Sequence, residues 1–277
     1  MFIRNLNIPA RKISYRVVTS RLVRRQNYRN VNRQAFSSIA DNFDVPRRHC
    51  LAMGPRQKRM EATTSIAGRD TPIYESDLIV VLDMDECMIH SKFSSASSNK
   101  YAYQTHQTSW EKKEGQLESF QVRLPEGDIV DVNQRPHLHD FLETISGKYE
   151  THVFTAAMEV YAKPVLDILD PNNKIFDGRW YRDSCSQTKD GAFVKDLGVL
   201  NKNASRMVLV DNNPMSFLAN PSNGILVSSF YDDPSDRTLL AVLNLLEELE
   251  KHEDVRPILD DRFGLKTALK EVAGGMS

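Results

Sequence analysis

Cysteine is scarce in this chain: 277 residues hold only Cys50, Cys87 and Cys185. The three are odd in number and widely spaced, and no C-x-x-C occurs. That pattern supports neither a disulfide framework nor a cysteine zinc site, and a reducing compartment fits it. No apolar run approaches the ~18–20 residues of a membrane-spanning helix, so a soluble chain is expected. Internal repeats and coiled-coil heptads are also missing, and a monomer is expected. Acidic residues are absent from residues 1–40, which carry eight arginines and one lysine. Residues 1–60 hold 14 basic residues against two acids, Asp41 and Asp44, although the whole chain has a net charge of only −1. A basic segment therefore precedes an acidic domain, and that domain shows no signature of direct nucleic-acid binding.

The acid-free, arginine-rich start, with its interspersed Ser and Thr, reads as a transit peptide for a mitochondrion or plastid. The alternative is a basic arm serving nuclear import. Residues 1–70 are read as targeting segment and linker, 71–265 as the folded domain, and 266–277 as a C-terminal tail.

What the domain does have is a series of short apolar runs. Leu78-Ile79-Val80-Val81-Leu82 has the composition of a strand buried on both faces of a parallel sheet. Residues 94–119 lack a period and read as a long excursion. Phe120–Leu124 and Ile129–Val132 flank Pro125-Glu126-Gly127-Asp128, a hairpin signal. Pro136 opens a helix reaching about Ser146. Thr151–Thr155 is a second core strand, followed by a helix over Glu159–Leu169. Phe176–Val194, with its Asp177-Gly178 and Asp190-Gly191 turn dipeptides, reads as a small antiparallel β insert. Arg206–Val210 and Ile225–Val227 are further strands, and Asp236–Lys251 is a closing helix with a leucine face. Strands alternating with helices predict an α/β fold with a mainly parallel, Rossmann-like sheet.

Polar residues recur where these runs end: Asp83 and Asp85, Thr155, Lys195, then Asp211 with Asn212. In an open α/β sheet, ligands bind beyond the carboxyl ends of the strands. Two carboxylates there can hold a hard cation such as Mg²⁺, and one of them can attack phosphorus. A lone D-x-D can equally open a solvated turn. The ordered set is what gives it meaning.

That ordered set resembles the haloacid dehalogenase superfamily, and within it the small phosphatases related to the RNA polymerase II C-terminal-domain phosphatases. The resemblance runs over roughly residues 75–260. It is carried by Asp83-Met84-Asp85-Glu86-Cys87 with Ile89-His90-Ser91, by Arg135-Pro136-His137 and by Phe154-Thr155-Ala156. Tyr181-Arg182-Asp183-Ser184-Cys185, Phe193-Val194-Lys195 and Val210-Asp211-Asn212-Asn213-Pro214 complete it. It implies a protein serine/threonine phosphatase that uses Mg²⁺ and an aspartyl-phosphate, acting on a phosphorylated protein. Asp83 would be the nucleophile and Asp85 the acid and base. Thr155 and Lys195 would stabilise the phosphoryl group, and Arg182 would contact the phosphate. Asp83, Asp85 (through its carbonyl) and Asn212 would hold the metal, with Asp211 in support. Phe93, Met158 and Tyr161 match part of a pocket that recognises the substrate's peptide.

The chain also departs from the family. Cys87 stands where a threonine is usual, a poorer hydrogen-bond partner. The insert after Thr155 is short, so no large cap is expected, and an open site favours a protein segment over a metabolite. His90, His137 and His139 are read as structural, since the aspartyl mechanism needs no histidine. The competing reading is a protein-binding module like the mitochondrial translocase receptor, which shares the fold. Such receptors tend to lose the aspartates kept here. A third reading is a phosphatase for small molecules or nucleic-acid ends.

Overall fold

The computed structural model describes residues 73–94 and 117–274. The basic N-terminal segment and most of the 94–119 excursion lie outside the described residues. The central strand is β1 (Ile79–Leu82), and all four of its residues are buried. It pairs in parallel with β5 (Glu150–Phe154) on one side and β9 (Met207–Asp211) on the other. A strand with a neighbour on each edge and cover on both faces has no solvent side. Its sequence is therefore uniformly apolar, not alternating. The sheet continues outward to β10 (Gly224–Leu226) beside β9 and β6 (Gly178–Trp180) beside β5, giving the order β10-β9-β1-β5-β6, all parallel.

The expected hairpin is β3 (Ser119–Arg123) with β4 (Ile129–Gln134), antiparallel across a turn in which Gly127 takes φ 92°. That turn needs a positive φ, which glycine adopts without steric cost. A third strand, β2 (Ile89–Ser94), joins β4 to complete a three-stranded sheet. Helix α1 (Leu138–Lys148) follows Pro136 and packs on β5, and α2 (Glu159–Leu169) lies where its apolar period places it. The closing helix is α3 (Thr238–Leu249), whose buried face includes Leu239, Leu245, Leu246 and Leu249.

Two expectations are corrected. Residues 176–194 are not one antiparallel insert. Gly178–Trp180 is the parallel edge strand β6 of the main sheet, and only β7 (Ser186–Gln187) with β8 (Phe193–Val194) forms a small antiparallel pair. Asp177 does not open a turn. Its backbone N–H donates to the Thr151 carbonyl at 2.7 Å and its carboxylate accepts from Thr151 N at 2.8 Å, which extends the pairing to β5. Second, residues 266–274 are not a tail. They continue helix α5 (Leu265–Gly274), which follows α4 (Arg256–Phe263), with Gly264 between them at φ 59°. Leu265 and Leu269 are buried, so apolar burial holds this end of the chain on the domain. Among the described residues no helix is long and apolar enough to cross a membrane.

Candidate active site

The three innermost strands β5, β1 and β9 end level with one another: Leu82 sits opposite both Val153 and Val210. The next residues are Asp83, Thr155 (after Phe154) and Asp211. Parallel pairing thus delivers three polar groups to one edge of an apolar sheet. Asp83 N–H donates to the Val210 carbonyl at 2.9 Å, which fixes where its side chain emerges. Asp83, Thr155, Lys195 and Asp211 are all buried.

Lys195, just after β8, reaches in from the side. Its Nζ lies 2.5 Å from Asp83 Oδ1 and 2.6 Å from Asp211 Oδ2. Burial opposes the ammonium charge, but the two carboxylates outweigh it and hold the Lys195 pKa above its ordinary value. Burial and the neighbouring Asp211 push the Asp83 carboxyl up, against the pull of Lys195. Asp211 is itself held in place, since its Oδ1 accepts from Asn213 N at 2.7 Å.

Thr155 Oγ1 accepts from Ala157 N at 3.0 Å. The hydroxyl proton is therefore free to be donated to a ligand. Arg182 donates from Nε to the Ala156 carbonyl at 2.7 Å, and its guanidinium lies 5.0 Å from the centre of the Phe193 ring. No hydrogen bond among the described residues takes up its two Nη groups. The fork is thus anchored beside the Thr155 loop with donors to spare.

Burial pushes the Asp85 carboxyl up to about 6, although the hydrogen bond from Tyr161 draws it down. A carboxyl in that range can give and take a proton near neutrality. Tyr161 Oη is 2.5 Å from Asp85 Oδ1 and 2.6 Å from Ser91 Oγ. Its ring lies 5.2 Å from that of Phe93, which is 43 % exposed. Phe93 and Tyr161 therefore meet, with Met158 one helical turn before Tyr161. Tyr161 does more than line a pocket, since its hydroxyl touches Asp85.

The Asn212 amide nitrogen donates to Asp83 Oδ2 at 3.2 Å and to the Asp85 carbonyl at 3.3 Å, while its amide oxygen accepts from Ser229 Oγ at 2.9 Å. Rotated about its terminal bond, the Asn212 amide would bring its oxygen beside the Asp83 carboxylate and the Asp85 carbonyl, a hard oxygen donor set of the chemistry Mg²⁺ takes. The histidines play other parts: His90 meets the Tyr231 ring edge-on at 5.2 Å, and His137 caps α1 with φ 67°.

Cys87 is buried, with Sγ 3.7 Å from the Val210 carbonyl. Burial, then the charge of Asp83, raises its pKa well above the ordinary range, so it stays a thiol. It retains, weakly, a bond that a hydroxyl would make.

Several residues brace the site without an expected role. Arg135 is buried and donates to Cys87 O at 2.9 Å, Ser228 Oγ at 3.0 Å, Thr238 Oγ1 at 2.7 Å and both carboxylate oxygens of Asp236. Phe230 N–H donates to the Glu86 carbonyl at 2.7 Å, and Glu86 holds φ 59°. The Arg-Pro-His motif marked Arg135. Nothing local marked Ser228, Ser229 or Phe230.

A parallel sheet carrying paired aspartates and a tethered lysine at its carboxyl edge defines a domain of the haloacid-dehalogenase class. Within that class, residues 78–256 match the sequence model of the NLI interacting factor-like phosphatases, and the chain belongs to this family. It is 38% identical over 187 residues to "CTD small phosphatase-like protein 2" of Dictyostelium discoideum, covering 67% of this chain and 30% of that protein. It is 35% identical over 188 residues to "CTD nuclear envelope phosphatase 1B" of Danio rerio, covering 65% of this chain and 70% of that protein. The chain thus spans under a third of the first relative's length. A solved structure of Fcp1, titled an essential RNA polymerase II CTD phosphatase, matches 65% of this chain and 52% of its own. Its identity to this chain is 24% and its TM-score 0.41.

Proposed function

We propose that this chain is an Mg²⁺-dependent phosphatase that hydrolyses phosphoserine or phosphothreonine in protein segments through an aspartyl-phosphate, an acyl phosphate on Asp83. The observation that carries the reading is the buried Lys195 ammonium between Asp83 and Asp211, beside Thr155 and Asp85 at one sheet edge. A structural ion pair would not need a hydroxyl with a free proton and an unspent guanidinium beside it.

The Asp83 carboxylate attacks phosphorus in line as the serine oxygen leaves. Asp85 gives its proton to that oxygen, then takes one from the water that hydrolyses the acyl phosphate. Thr155 donates to a phosphoryl oxygen, Lys195 offsets negative charge on Asp83 and phosphate, and Arg182 holds the phosphate with its free fork. Asp83, the Asp85 carbonyl and Asn212 would hold Mg²⁺. When bound, the ion neutralises charge between the carboxylate and the anionic phosphate. Phe93, Met158 and Tyr161 offer an apolar wall to the peptide next to the phosphorylated residue.

The intact aspartate pair and lysine leave the binding-module reading without support. The relative named for the nuclear envelope favours the nuclear alternative for compartment over the organelle reading. The test is turnover of a phosphoserine peptide, a nucleotide and a sugar phosphate by the full chain, with Mg²⁺ and with chelator, beside Asp83→Asn. Mg²⁺-dependent hydrolysis of the peptide above the two metabolites, absent in Asp83→Asn, is expected. Hydrolysis that survives Asp83→Asn overturns the mechanism, and preference for a metabolite overturns the substrate class.

A further inference from the structure

Tyr161 was expected only to line the peptide wall, yet its hydroxyl lies between two other side chains. Its Oη is 2.5 Å from Asp85 Oδ1 and 2.6 Å from Ser91 Oγ. A phenol has one proton to donate. With Asp85 ionised, that proton goes to Asp85, and Ser91 must donate to Tyr161. The bonds form a directed chain, Ser91 to Tyr161 to Asp85, and each donor comes from a rigid element: β2, then α2. The phenol is buried, and burial followed by the charge of Asp85 holds its pKa well above the ordinary value, so it remains a donor.

We infer that Tyr161 is a positioning residue for the acid, acting through Asp85 and not on the substrate. The inference rests on the reading of Asp85 as acid and base. With Oδ1 receiving the bond from Tyr161, the proton that Asp85 transfers is carried on Oδ2. No hydrogen bond among the described residues occupies Oδ2. Without the phenol hydroxyl, the carboxyl can turn and carry its proton on either oxygen. Only part of the population then holds it towards the leaving group. Because the Tyr161 ring also meets Phe93 at 5.2 Å, one side chain joins the peptide wall to the acid.

The consequence is specific to the leaving group. A good leaving group departs without help, whereas a basic one needs the proton. The experiment uses the full chain with Mg²⁺ and a series of substituted phenyl phosphates of graded leaving-group basicity. It reads the slope of log kcat/KM against leaving-group pKa for the unaltered chain, Asp85→Asn, Tyr161→Phe and Ser91→Ala. These substrates differ little in shape, so recognition is held constant.

Tyr161→Phe is expected to steepen the slope towards that of Asp85→Asn. It loses about tenfold on the most basic leaving group and under about twofold on the least basic. Ser91→Ala shifts the slope in the same direction by less. A merely structural role would lower every substrate alike and leave the slope unchanged. An unaltered slope in Tyr161→Phe beside a steepened one in Asp85→Asn overturns the inference alone. No turnover by the unaltered chain, or an unaltered slope in Asp85→Asn, overturns it together with the reading it rests on.

Discussion

Lys195 shows at the level of one residue how a single buried charge serves both the stability and the reactivity of the site. Its ammonium is buried between two buried carboxylates. Replacing one partner of a buried charge cluster leaves the others without compensation, which typically costs about 3–5 kcal/mol. Lys195→Met keeps most of the volume and removes the charge. It is expected to abolish turnover and to lower stability by about that amount in urea titration. Turnover within about twofold of the unaltered chain would show that Lys195 is only structural. The gathering of Asp83, Thr155 and Asp211 at one sheet edge was legible in the sequence because each follows or closes a short apolar strand, whereas Lys195 stood out only where the insert returns to the core. The bond from Tyr161 to Asp85 spans 76 positions and that from Arg135 to Asp236 spans 101. Neither pairing leaves a local trace, so those roles emerged only from the fold.

Elements meet at Arg135, where the end of β4 is tied to the loop after β1 and to the start of α3. Burial raises the Asp236 carboxyl, but the hydrogen bonds and charge of Arg135 outweigh it and hold its pKa below the ordinary range. A carboxyl depressed on folding contributes stability above its unfolded value, near 3.9, and that contribution fades as pH falls through the lower folded value. The stability gap between the unaltered chain and Asp236→Asn should therefore be full at about pH 6 and shrink towards about pH 3. Denaturant melts at several pH values would read this, and a gap that grows on acidification would contradict the assignment. Elements with a strong period were legible, as β1, α2 and the hairpin show. Strand β6 was not, because three residues at a sheet edge, Gly178–Trp180, have too little pattern. Its glycine is needed for space: a Cβ there would sit 2.6 Å from His152 Nδ1. Strand β2 was hidden by its largely polar sequence, Ile89-His90-Ser91-Lys92-Phe93-Ser94, although Ile89 is buried.

Over the whole molecule, the domain runs further than its strongest motifs. Helix α5 lies against the turns at Pro214–Phe217 and Pro221–Asn223, which follow β9 and carry the chain to β10. The C-terminal helix thus buttresses the segment that leaves Asp211 and Asn212. Leu269 is 5% exposed. Leu269→Ala is expected to cost about 2–5 kcal/mol, measured by urea unfolding, whereas a change under about 0.5 kcal/mol would fit a loose tail. The sequence missed this helix because its contacts, not its composition, make it part of the fold.

The central claim is that Asp83 carries the phosphoryl group. The direct test is to quench a single turnover in acid and map the phosphate. The Asp85→Asn variant with Mg²⁺ and an aryl phosphate of low leaving-group basicity suits this, because loss of the base slows the second step more than the first. The account predicts one phosphate on the peptide containing Asp83, appearing with the released phenol and absent when Asp83 is also changed to Asn. Phenol released with no phosphate on Asp83, or release that persists without Asp83, would contradict it.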